Sequence, residues 1–219
     1  MRQGVKILKS TLGHATADIL RDRILYGEYE QGSRISEEEI AKEFDISRAS
    51  VRDALFLLET EGLVVREINK YKLIRKFTPK EVIDLLHMRA ALEIAAATEC
   101  VNNNTIPEEE LRHYLKIMKN TLLLETDDNW DDLVISDFKF HDSIVNASNN
   151  SYYQRFWLDV RSQCLMLMNK TFRISSKDYI CGIDDHEVYI ELMKSGNLIE
   201  MSRHILDTCM ATSEFLVNS

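Results

Sequence analysis

The sequence predicts a mainly α-helical protein in two parts. Residues 1–76 form an N-terminal winged helix-turn-helix, and residues 77–219 form a C-terminal antiparallel all-helical bundle. Three observations lead there. Residues 36–62 read as two short capped helices joined by a tight turn. Two β-prone runs follow, at 63–68 and 71–75. Beyond Lys76 the apolar periodicity is helical throughout, with no convincing strand.

A first helix spans residues 12–26, with Ala15, Ile19, Leu20 and Ile24 at helical spacing and Gly27 as its stop. Residues 28–33 are a loop. Ser36 caps the second helix, with Glu39 three residues on as in a capping box. Ile40, Ala41 and Phe44 are its apolar stripe, and Asp45-Ile46 is the turn. Ser47 caps a third helix over 48–61, whose Val51, Leu55 and Leu58 face inward. Asn69-Lys70 joins the two β-prone runs into a hairpin, the wing. Thr78-Pro79-Lys80-Glu81 then opens a new helix: an N-cap, a proline at the first helical position and a capping glutamate. Helices follow at about 79–101, 107–125, 130–148, 151–172, 177–195 and 197–217. Six antiparallel helices of this length can bury a core and enclose a pocket.

Composition narrows the class. With 45% hydrophobic and 29% charged residues, the chain is neither disordered nor fibrous. It has no apolar run of membrane-spanning length, and the N-terminus lacks the apolar core of a signal peptide, so a cytoplasmic protein is expected. Cys100, Cys164, Cys181 and Cys209 form no Cys-x-x-Cys pair and read as buried thiols. Net charge is −9, but unevenly placed. Residues 1–76 hold 14 Lys and Arg against 13 Asp and Glu; residues 77–219 hold 13 against 23. A near-neutral unit fused to an acidic one fits a DNA-facing module joined to a sensor.

The DNA-facing candidates sit on the third helix and the hairpin. Arg48 and Arg52 lie one turn apart and share a face. Either can fork onto guanine or clamp a phosphate. Ser47 and Ser50 can donate to phosphate at the helix N-terminus, where the helix dipole also favours an anion. Lys70, Lys72 and Arg75 on the hairpin, and Arg34 beside the second helix, are further contacts to the duplex. The alternative for each arginine alone is a solvated surface charge.

The run DILRDRILYGEYEQGSRISEEEIAKEFDISRASVRDALFLLETEGLV resembles the winged helix of the GntR family of bacterial transcription regulators. The resemblance is densest from Ile46 to Leu55 and closes on Glu61-Gly62-Leu63. It implies that Ser47, Arg48 and Arg52 contact DNA. The chain departs from some relatives by placing Glu37, Glu38 and Glu39 where they carry a DNA-contacting arginine, and Asn69-Lys70 where many have a wing-tip glycine. Residues 79–219 resemble the all-helical FCD effector domain of the FadR subfamily, through LLHMRAALEIAAA, DFKFHDSIVNASNN and single histidines in the last two helices.

Asp137 and His141 stand four residues apart on a helix, so a carboxylate and an imidazole share one side and can chelate a divalent ion. His186 and His204 on later helices are available as further ligands. One Asp and three His suit Zn, Ni, Mn or Fe. The bland reading is an exposed helix pair and two surface histidines; the resemblance implies metal ligands at these positions. The interval from His186 to His204 is short by about one helical turn, which keeps His204 nearly in phase. Arg89 is a cation on an apolar helix: the resemblance turns it toward an effector cavity, and the alternative pairs it with an acid such as Glu93. Asn150 and Arg161 are further pocket candidates.

The expected protein is a homodimeric regulator on a palindromic double-stranded DNA operator, responding to a small organic acid beside the metal. Two alternatives stay open. One is a metal-free regulator with an apolar or acyl ligand; the other is a metal-dependent enzyme, for which no general base or nucleophile stands at a convincing spacing.

Overall fold

The computed structural model describes residues 3–67, 71–123, 130–172 and 182–218. These fall into two compact units, Met1–Lys76 and Phe77–Ser219. Lys70 and Cys181 lie outside the described residues, as do Asn69 and the expected helix start at 177.

The first unit runs α1 (Gln3–Leu25), β1 (Arg34–Ile35), α2 (Glu37–Glu43), α3 (Arg48–Thr60), β2 (Val64–Arg66) and β3 (Lys72–Ile74). Helix α1 begins well before the expected residue 12. Gly13 lies inside it, where a Cβ would come within 3.2 Å of the Asp53 Cβ, so the glycine lets α1 approach α3 closely. Ala17, Leu20 and Ile24 are buried, as are Val51, Ala54, Leu55 and Leu58, and α1 packs on α3. Arg21 ties this pair together: its Nε and Nη2 donate to both carboxylate oxygens of Glu61, at 2.7 and 2.6 Å.

Ser36 and Ser47 cap their helices as expected, accepting from Glu39 N and Ser50 N. Between the helices Asp45 takes a left-handed conformation, φ 51°, which a short polar side chain tolerates. The hairpin is part of a three-stranded antiparallel sheet ordered β1-β3-β2. Strand β1 was not expected from sequence. Its two residues pair with Leu73 and Lys72, across a long stretch of chain.

The second unit contains α4 (Pro79–Asn103), α5 (Glu108–Leu123), α6 (Trp130–Ala147), α7 (Ser151–Phe172), α8 (Ile183–Ser195) and α9 (Leu198–Asn218). Thr78 and Glu81 make both arms of a capping box at the start of α4, and Asn104 ends it in a left-handed cap. Helix α4 is central: it packs on α6, α7, α8 and α9. Phe138, Phe140, Leu86, Leu111, Met118 and Ile144 fill the core. Cys100, Cys164 and Cys209 are buried free thiols. Among the described residues no helix is long and apolar enough to cross a membrane.

Candidate DNA interface and metal centre

Helix α3 presents one exposed stripe, Arg48, Ala49, Arg52, Asp53 and Phe56. Ser47, the cap, is exposed at its leading end. Both arginines reach back to α2. Arg48 Nη2 lies 3.0 Å from Glu38 Oε2, and Arg52 Nε lies 3.5 Å from Glu37 Oε2. Arg34 stacks its guanidinium 4.0 Å over the Tyr71 ring, which places it beside the hairpin.

Two expected DNA contacts turn inward. Ser50 is buried, with its hydroxyl 3.0 Å from Ser47 Oγ, because the capping turn folds it under the helix. Lys72 is also buried, and its ammonium lies 3.4 Å from Glu59 on α3. The alternation along β3 explains this: Lys72 shares its face with Ile74, the core side, while Leu73 points the other way. Neither side chain is placed to meet a phosphate.

In the second unit α6 supplies Asp137 and His141, and α8 supplies His186. Their donor atoms lie within 4.8 Å of one another, and all three residues are buried. Glu93 on α4 completes the arrangement. It is fully buried and 2.8 Å from His141 Nδ1. Burial alone would raise its carboxyl; the facing His141 and Arg89 charges instead hold it at about 2. An ionised Glu93 can only accept, so His141 Nδ1 donates to it and Nε2 is the ring nitrogen on the Asp137 side. That Nε2 is 3.9 Å from Asp137 Oδ1. At His186, Nδ1 faces the Gly182 carbonyl at 2.9 Å, which fixes its proton there. His186 Nε2 lies 3.0 Å from Asp137 Oδ1, close enough to share a proton with it.

Without a metal, a proton on His186 Nε2 bridges to Asp137, and a divalent ion bound among the same atoms would displace it. The charges agree. Burial would raise Asp137, but the two imidazoles pull its carboxyl well below the usual range. Burial would lower His186, but Asp137 raises it. Asp137 Oδ2 is buried without a hydrogen-bond partner among the described residues. One carboxylate and two imidazoles form a borderline donor set suited to a divalent transition metal. The residues present fit such an ion, and Glu93 fixes the His141 ring from behind, as carboxylates do for metal-bound histidines.

These residues open onto a cavity of about 290 Å³, which also touches Arg89, Tyr189 and His204. Arg89 is held by Glu93, Nε to Oε1 at 2.7 Å, and its Nη1 meets the Met168 sulfur at 3.5 Å. The geometry thus joins both sequence readings of Arg89: it lines the cavity and is paired with Glu93. His204 lines the cavity, but its Nε2 lies 2.8 Å from the Asp185 carbonyl. That contact commits the nitrogen as a donor, and His204 stands outside the three-residue cluster. Asn150 is not brought to the cavity. It caps α7, accepting from Tyr152 and Tyr153, and donates to Glu99. Arg161 is likewise elsewhere, on Asp142 at 2.9 Å. Sequence reasoning missed Glu93 as the support of His141 and Tyr189 as a cavity wall. The i, i+4 spacing of Arg89 and Glu93 was the available signal for the first.

A winged helix with two arginines at an exposed helix tip, joined to an all-helical unit, defines the class of DNA-binding transcriptional regulators. Residues 12–70 match the bacterial regulatory proteins of the gntR family, and residues 84–208 match the FCD domain. The chain is 30% identical over 192 residues to the gluconate operon transcriptional repressor of Bacillus subtilis, covering 85% of this chain and 77% of that protein. It is 25% identical over 207 residues to a D-xylose utilization operon transcriptional repressor of Paenarthrobacter nicotinovorans, covering 92% of this chain and 86% of that protein. A GntR regulator from Rhodococcus sp. RHA1 has a similar fold, with TM-score 0.77, 19% identity, and 94% and 98% of the two chains covered. This chain belongs to the GntR family and carries an FCD domain. It is a DNA-binding transcriptional regulator, and its family and relatives are not enzymes.

Proposed function

We propose that the chain is a homodimeric repressor released by a small organic acid that binds beside a divalent metal. Residues 1–76 bind the operator, and residues 77–219 bind the effector and dimerise. Arg48, Arg52 and Ser47 meet the duplex, with Arg34 beside the wing. Two copies related by a twofold axis match a palindrome. The exposed Tyr152 and Phe156, one turn apart on α7, support pairing through the helical unit. The names of the B. subtilis and P. nicotinovorans relatives support repression, and the first makes gluconate a natural probe.

Asp137, His141 and His186 would hold the metal. The observation that carries this is the convergence of their buried donor atoms within 4.8 Å of one another, with Asp137 Oδ2 lacking a hydrogen-bond partner among the described residues. His204 joins as a ligand only by giving up the Asp185 carbonyl. A bound divalent ion supplies a Lewis-acidic position for a carboxylate oxygen of the effector. Arg89 is the second anchor: its guanidinium has donors beyond the two committed to Glu93 and Met168. Glu93 orients His141 by accepting from its Nδ1. Ligand binding shifts the two DNA-binding heads only insofar as it favours one of their arrangements.

Elemental analysis of protein purified without chelator or metal-affinity resin tests the metal. About one equivalent per chain is expected, falling to background in D137A. Less than about a tenth of an equivalent after metal loading overturns it.

A further inference from the structure

Both arginines at the tip of α3 are met by a carboxylate from the first turn of α2. Glu37 and Glu38 are the first two residues of that helix, directly after the Ser36 cap. They do not pair at random. Glu37 approaches Arg52 at Nε, 3.5 Å away, so the contact is made on the side of the guanidinium and not at its end-on fork. Glu38 takes a terminal nitrogen of Arg48 and competes there with any base or phosphate. The arginines are 60% and 65% exposed, so the pairs stand on the surface that approaches the duplex.

We propose that Glu37 and Glu38 are positioning residues that convert a general affinity for DNA into a sequence preference. This rests on Arg48 and Arg52 being DNA contacts. A phosphate backbone presents anions everywhere, so free arginines bind it without regard to sequence. With a carboxylate beside each arginine, two anions face the backbone, and a phosphate that takes the arginine's fork brings its own charge up against that carboxylate. A guanine presents neutral acceptors, O6 and N7, to the same fork of Arg52 while Glu37 stays at Nε. The repulsion falls on backbone contacts and spares the base contact. The carboxylates therefore cost less on the right sequence than on the wrong one, which is specificity by penalty.

The test uses the full chain and two kinds of duplex. Duplexes enriched by wild-type protein from a random library define the preferred site; a scrambled duplex of equal length is the reference. Both are titrated by fluorescence anisotropy across salt concentrations with wild type, E37Q, E38Q, the double variant, R48A and R52A. Glutamine keeps the shape and removes the charge. The double variant is expected to bind scrambled DNA about tenfold tighter, since a unit charge a few ångströms from phosphate at the surface is worth about that factor. Its ratio of selected to scrambled affinity should fall by about tenfold. Selection repeated with E37Q should weaken the preference at one guanine, an effect that a merely structural glutamate would not produce. A ratio within twofold of wild type for all three glutamine variants overturns the inference, even if R48A and R52A lose binding. Should R48A and R52A bind the selected duplex as wild type does, the arginine reading falls, and this inference with it.

Discussion

At the scale of single residues, the same amino acid has opposite roles depending on what surrounds it. Arg52 is exposed and aimed outward, with a carboxylate at one edge only. Replacing it with alanine should weaken binding to the selected site by about 1–3 kcal/mol if it reads a base. Equal affinity in a competition titration would strike it from the contact surface. Lys72 carries the same charge but is buried on Glu59, where Arg66 is the other cation, at 3.8 Å. Lys72→Met should therefore leave the salt dependence of DNA binding unchanged. It should lower stability by about 1–3 kcal/mol in urea unfolding, because it leaves a half-buried carboxylate short of a partner. A flatter salt slope with unchanged stability would reverse that assignment. The sequence disclosed both cations but not their directions. Which of Lys72 and Leu73 faces the core depends on the register of β3 against β1, and β1 leaves too little local pattern to announce itself. Asp137 and His141 were legible from a spacing of four. Glu93 joins them across 48 residues of sequence, so its support of His141 is visible only once α4 lies on α6.

At the scale of elements, caps were the most legible features. Ser36, Ser47 and Thr78 each stop one backbone direction and start another, and the signal lies within four residues. The start of α1 was not legible, because Gly13 reads as a breaker, whereas in the fold it is the point of close approach to α3. That contact also holds α3 in place. Leu20 and Leu55 are fully buried on the two helices. Leu20→Ala should cost about 2–5 kcal/mol of stability, measured by thermal or urea unfolding. DNA affinity measured well below the transition should be close to wild type. A change under about 0.5 kcal/mol would mean that α1 is not the main support of α3. Further along, α6 and α8 bring three donors together, and α9 adds His204 to the same cavity. His204 turns its Nε2 to a backbone carbonyl. Phase along the helix was predictable; the competing hydrogen bond was not.

At the scale of the whole molecule, the chain divides its charge as it divides its labour. The acidic excess lies in residues 77–219, and the near-neutral first part exposes Arg48 and Arg52 at one helix tip. If a metal completes the buried cluster, removing it forfeits the stability that binding adds and leaves Asp137 Oδ2 buried without a partner among the described residues. Chelation should then lower the melting temperature of the full chain, and divalent metal should restore it. D137A should melt at the same temperature with and without chelator. Chelator-insensitive melting of metal-loaded wild type would speak against the centre without touching the DNA-binding role. The most direct test of that role is capture of sheared DNA from the source genome by the purified protein across a range of salt, with R48A/R52A alongside. The account predicts enrichment of a small set of fragments sharing an inverted repeat, lost steeply as salt rises and absent for the double variant. Uniform recovery of all fragments, or identical recovery by wild type and double variant, would contradict it.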